Sequence, residues 1–162
     1  MDGSGKTTSA NCLQPDGEND NGWDQGLLFL NPAQVWLQPS GYVMQMRADS
    51  YLPQAVQCGV TGDRHLDACA TASLDGHTVA VQVVNLNSTA TPTAIRFEGF
   101  TPTNSLVAVT ELAGSLAANN PADRPQKITP VQTQWPSAGT NGVAQCTLAP
   151  YSFTVMTFQG VP

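Results

Sequence analysis

At 162 residues, with 41% apolar and 11% charged side chains and a net charge of −6, the chain is long enough to bury a core but far less charged than an average soluble domain, which is about 25% charged. Its six Lys plus Arg, nowhere clustered, exclude a phosphate-binding stripe and so nucleic acid as a partner; a neutral polysaccharide, recognised through hydroxyls and apolar ring faces, remains compatible. No run approaches the roughly 20 apolar residues of a membrane span, and residues 1–21 are too polar and acidic for a secretory leader, so the start is expected to be a cut point.

Residues 1–21, rich in Gly, Asp, Asn and Ser, read as a flexible head. Gly3-Ser4-Gly5-Lys6-Thr7-Thr8 imitates half of a phosphate-binding loop, but the first glycine of that pattern would precede residue 1, and neither strand nor helix flanks it. An apolar run at 27–30, bounded by Gly26 and Asn31-Pro32, predicts a buried strand. From Pro32 onward Val35, Trp36, Tyr42, Val43 and Met46 recur at helical spacing, with Asn31 as the cap. Pro39 and Gly41 interrupt that helix, which is either kinked or starts afresh at Ser40, and ends near Asp49.

The remainder carries β signals. Strands are predicted at 55–60 and 68–73, and Asp75-Gly76 marks a hairpin into the alternating run TVAVQVVNL at 78–86. Further strands are predicted at 93–97, 105–112, 129–135, 143–148 and 153–158, with a long polar loop over 113–127 lying along an outer face. Eight short strands with turns between them predict a mainly β fold, an antiparallel β-sandwich or jelly roll with a short helical N-terminal arm.

Few residues carry chemistry. Cys12, Cys58, Cys69 and Cys146 make no CxxC pair, which argues against zinc; Cys58 with Cys69 and Cys12 with Cys146 are one pairing, and four buried free thiols the alternative. His65 and His77 follow turn residues and read as exposed loop histidines, although Asp63, His65 and Asp67 together could hold a cation loosely. Glycoside hydrolysis needs two facing carboxylates. Glu18 lies in the head, Glu98 and Glu111 close strands where solvent-facing charge is ordinary, and Asp16, Glu18, Asp20 and Asp24 crowd one loop. No catalytic residue, metal or cofactor is therefore assigned. Aromatic rings stack on sugar faces and a glutamine amide both donates to and accepts from hydroxyls. Trp36, Gln38 and Tyr42 in W-L-Q-P-S-G-Y could thus line a sugar pocket, or pack a helix against a wall; Trp23 is flanked by turn residues and could be partly exposed, whereas Trp135 ends a strand and suits the core.

Residues 22–46 (GWDQGLLFLNPAQVWLQPSGYVMQM), 117–130 (AANNPADRPQKITP) and 150–158 (PYSFTVMTF) together resemble the C-terminal part of the α-L-arabinofuranosidases of glycoside hydrolase family 51. The resemblance implies residues 22–53 as a remnant of the last strand and helix of a (β/α)8 barrel, and residues 54–162 as the C-terminal β-sandwich. It also implies a parent enzyme, extracellular or periplasmic, that removes arabinofuranosyl groups from arabinoxylan and arabinan with retention. Both catalytic glutamates of that family would precede residue 1 here, so the chain is expected to be non-catalytic by itself. The family's Trp-x-Gln matches Trp36-Leu37-Gln38, which makes Gln38 the implied arabinose contact. An orphaned strand and helix would expose Leu27, Phe29, Val35 and Trp36; these are expected to fold back on the sandwich, or to form a homodimer through residues 22–53. A free-standing carbohydrate-binding module and a small autonomous glycosidase are the competing functions.

Overall fold

The alternation of side chains along three strands decides the architecture of the protein, for which a computed structural model describes residues 12–17, 25–137 and 142–162. Strand β6 (Thr78–Asn85) turns Val79, Val81 and Val83 into one core, and β9 (Leu106–Ala113) adds Val107 and Val109 to it. Strand β12 (Ser152–Val161) alternates between two cores: Met156 and Phe158 face the first, Phe153 and Val155 the second. These three strands form the middle of an antiparallel sheet, β12 pairing with β6 on one side and β9 on the other. Beyond β9 lies β10 (Val131–Pro136); beyond β6 lie β5 (Leu66–Ala72) and β4 (Gln54–Val56), and β8 (Thr101–Pro102) pairs with the end of β12.

The inner face of this sheet is covered by a two-stranded antiparallel sheet of β7 (Thr91–Arg96) and β11 (Val143–Leu148), whose Ile95, Ala144 and Leu148 complete the first core. Phe158 is fully buried there, its ring 4.8 Å from that of Phe97 in an edge-on contact. The outer face is covered by helix α1 (Pro39–Asp49), through Tyr42, Val43 and Met46 against Leu112, Phe153 and Val155. The fold is thus mainly β and antiparallel, a sandwich with one helix on its back.

The β5–β6 hairpin forms where Asp75-Gly76 predicts it. Ser73 N donates to Thr78 O, Thr78 N donates back to the Ser73 hydroxyl, Asp75 Oδ1 accepts from His77 N, and Gly76 takes the positive φ of 73° that the turn requires. All eight predicted strands have counterparts, with shifted ends; residues 57–60 are not part of β4.

The arm keeps the predicted strand near 27–30 and a helix that starts afresh beside Ser40 and ends at Asp49, but the stretch between them differs from the sequence prediction. Residues 34–37 are not helical but form β3 (Gln34–Leu37), antiparallel to β2 (Leu28–Asn31). Asn31 caps no helix: its Oδ1 accepts from Ala33 N and Gln34 N, closing a tight turn over Pro32. The helix begins only at Pro39, whose fixed φ and missing N–H suit a first helical position. Within the expected flexible head, β1 (Leu13–Pro15) pairs with β2 in parallel, in a protein whose other strand pairs are antiparallel among the described residues.

All four cysteines are free; Cys12, Cys58 and Cys69 are exposed and Cys146 is half-buried, so neither the disulfide pairing nor the buried-thiol alternative describes them. Glu111 is not solvent-facing: its Oε2 accepts from the hydroxyl of fully buried Thr154 at 2.9 Å and from Ala149 N at 3.3 Å. Glu98 is exposed, but it lies in the bend two residues past the end of β7 rather than closing the strand.

Candidate functional site

Successive residues of a strand point to opposite faces, so Gln34, Trp36 and Gln38 share one face of the chain through β3. All three reach the same stretch of the loop after β9. Gln34 Nε2 donates to Ala122 O at 2.7 Å, Trp36 Nε1 to Asn120 O at 2.6 Å, and Gln38 Nε2 to the same Asn120 O at 2.8 Å. Asn120 N donates back to Gln38 Oε1 at 3.1 Å. The Asn120 side chain is saturated as well: Nδ2 donates to Leu37 O and Ile128 O, and Oδ1 accepts from Ile128 N. Trp36 and Gln38 are each 6% exposed and Asn120 is 1% exposed, so this is a buried polar node with its groups paired. Gln38 is also the N-cap residue of α1, yet makes no side-chain cap, because its amide is spent on Asn120.

The node ties the arm to the sandwich. Phe29 and Trp36 pack across the β2–β3 hairpin with ring centroids 6.3 Å apart, and both are buried. Of the four apolar residues that sequence reasoning left orphaned, Phe29 and Trp36 therefore fold back, Leu27 is half-buried, and Val35 stays exposed.

On the open side of the node lies a cleft of about 390 Å³, at the small end of ligand pockets, lined by Trp36, Tyr42, Gln34, Leu28, Pro125 and Gln126 among others. It brings together Trp36 and Tyr42 of the four expected sugar contacts. Gln38 lies behind it with both ends of its amide engaged by Asn120, and Trp23 is outside the described residues. Sequence reasoning missed Gln34 and Gln126. The signal for Gln34 was the period-two spacing of Gln34, Trp36 and Gln38; nothing local marked Gln126. Neither the Tyr42 hydroxyl nor the exposed Gln126 amide has a protein partner among the described residues, so both can serve hydroxyl groups.

Other titratable groups belong to turns. His65 N and the Asn87 amide donate to Asp63 and hold its carboxyl below the usual range; the Ser73 hydroxyl and His77 N do the same for Asp75. Asp63 also lies 3.4 Å from His65 Nδ1, and no group of three metal-ligating side chains occurs among the described residues. The phosphate-loop-like segment and the carboxylates Glu18, Asp20 and Asp24 are outside the described residues.

Comparison with known proteins gives the frame for this site. Residues 17–152 match the family described as the α-L-arabinofuranosidase C-terminal domain. The fold is similar to an arabinose-bound family 51 α-L-arabinofuranosidase, with a TM-score of 0.79 and 20% identity, over 93% of this chain and 23% of that one. It is similar to the α-L-arabinofuranosidase of Thermotoga maritima in complex with arabinose, with a TM-score of 0.71 and 19% identity, over 83% of this chain and 32% of that one. A family 51 α-L-arabinofuranosidase of Bifidobacterium longum has a TM-score of 0.61 and 20% identity, over 83% and 28%. The chain thus spans a third or less of the length of these three proteins. No curated protein matches its sequence.

Proposed function

The chain belongs to the α-L-arabinofuranosidase C-terminal domain family, and from that premise we propose that it is the accessory, non-catalytic sandwich of an enzyme acting on arabinose-substituted hemicellulose. Its work is to buttress the barrel and to hold the barrel's last strand in place. The observation that carries this reading is the parallel pairing of β1 with β2, where the other strand pairs among the described residues are antiparallel. Parallel strands belong to α/β architectures, and a barrel is the closed form of one. The Gln34–Trp36–Gln38 face then anchors that strand pair to the sandwich through Asn120 and Ala122. The outer edge of β1 is where the next barrel strand would pair; in the isolated chain a second copy covers the exposed apolar surface of residues 22–53 instead.

Two neighbours in fold are arabinose complexes, and we assign the Trp36–Tyr42 cleft a secondary role in touching the glycan, with Gln34 and Gln126 as its amide rim and Gln38 as the residue that positions Trp36. The parent enzyme works outside the cell or in the periplasm, where its polymer is.

The test is hydrolysis of an aryl α-L-arabinofuranoside and of arabinoxylan by the purified chain, with Glu98→Gln and Glu111→Gln variants, alongside affinity electrophoresis in arabinoxylan. No turnover is expected, with weak retardation that Tyr42→Ala or Gln126→Ala removes. Turnover abolished by one glutamate variant would overturn the accessory reading. Unretarded migration would remove the glycan role and leave the buttress.

A further inference from the structure

Asn87-Ser88-Thr89 is an Asn-X-Ser/Thr triplet without proline at its centre, in the turn that joins β6 to β7. Ser88, Thr89 and Ala90 are all exposed, and Asn87 is half-buried at the foot of the turn. We propose that Asn87 is an N-glycosylation site, taking an oligosaccharide from a lipid-pyrophosphate donor. The proposal rests on the reading that the parent enzyme is exported.

The transfer balances without an oxidant. A bond forms between Asn87 Nδ2 and the anomeric carbon of the first sugar. The bond from that carbon to the donor's pyrophosphate oxygen breaks, the pyrophosphate leaves with the electron pair, and one Nδ2 proton is lost.

The folded turn tolerates the product. Asn87 Nδ2 uses its two hydrogens on Asp63 Oδ2 at 2.7 Å and Thr91 Oγ1 at 3.1 Å. The modified amide keeps one. Giving up the Thr91 bond orphans nothing, because that hydroxyl also faces Asn85 Oδ1 at 3.4 Å and Thr89 O at 3.3 Å. The charge-assisted bond to Asp63 stays. The backbone of Asn87 is fixed independently, its N bonded to Asn85 Oδ1 and its O to Tyr151 N, so the turn holds its shape with or without the sugar. Leu86, directly before the triplet, is 54% exposed, and the first sugars would shade it.

The experiment is secretion of the full chain, carrying an added leader, from a eukaryotic cell, with intact mass read before and after peptide N-glycosidase. The wild-type and Thr89→Ser chains are expected to carry a glycan that the glycosidase removes, leaving Asp at position 87 in a peptide map. Asn87→Gln and Thr89→Ala are expected to have the bare polypeptide mass; attachment precedes folding, so a folding defect in either variant does not imitate the result. A leader-bearing wild-type chain without glycan, whether secreted or retained, overturns the proposal. A glycosylated chain retained inside the cell supports the site and counts against export alone.

Discussion

Gln38 and Asn120 grip each other at both ends of one amide: Gln38 Nε2 donates to Asn120 O and Gln38 Oε1 accepts from Asn120 N, so the side chain pairs with the loop backbone as a neighbouring strand would. Trp36 Nε1 shares the same carbonyl. Asn120→Ala leaves Leu37 O, Ile128 O and Ile128 N without their partner and is expected to cost about 3 kcal/mol in urea denaturation, since each buried orphan costs about 1–3 kcal/mol and some water enters. Trp36→Phe and Gln38→Leu act on one acceptor, so their effects should fail to add by about 0.5 kcal/mol or more. Additive effects would show that the two bonds are energetically separate.

Gly41 opens the first turn of α1 against β2. A Cβ there would meet Leu27 O and lie 2.6 Å from Leu37 Cδ2. The obstacle is backbone, which cannot swing aside. Gly41→Ala, helpful in an exposed helix, is expected here to lower stability by about 1–3 kcal/mol. A rise in melting temperature would refute the close approach.

Phe158→Ala removes a fully buried ring packed against Phe97 and is expected to cost about 3–5 kcal/mol. Tyr51, an aromatic 73% exposed just past α1, provides the control: Tyr51→Ala should stay within about 0.5 kcal/mol of wild type. Equal losses would mean that Tyr51 packs in solution against a partner.

Burial, and then the charge of Glu111, push the Cys146 thiol from its usual value near 9 up to about 11. Between those values the unfolded chain has released its proton while the folded chain keeps it. Stability associated with this group is therefore full below pH 9 and lost as pH rises through 11. Cys146→Ala should flatten the alkaline limb of a melting-temperature profile. Thiol labelling at pH 8 should modify Cys12 and Cys69 well before Cys146. Cys146 labelling as fast as they do would contradict its shielding.

The sandwich strands were legible because two local signals agree: Asp75-Gly76 admits the left-handed turn, and the valines of 79–83 alternate with other residues as a half-buried strand demands. The arm was legible only in part. Tyr42, Val43 and Met46 do share the packed face of α1, but Val35 and Trp36 fit the same helical period by coincidence, while the true period of two runs through Gln34, Trp36 and Gln38, where polar and aromatic residues share a face and offer no hydrophobic contrast. Asn31 misled for a related reason, because the same side-chain oxygen that caps a helix also closes a two-residue turn. The residue pair Trp36 and Gln38 was found, but its partner Asn120 lies more than 80 residues away, and a non-local acceptor leaves no trace in the local sequence. Glu111 shows the same limit: its role is fixed by Thr154, directly opposite on β12.

Strand β12 occupies the middle of the large sheet, yet among the described strands it follows both of its partners, β6 and β9, in sequence. A ribosome therefore delivers β6 and β9 before the strand that joins them, and the two must wait with unpaired edges. Pairings this distant in sequence make for slow folding. The order of synthesis thus sets a window in which the unfinished sheet is most open to aggregation, and it closes only when residues 152–161 emerge.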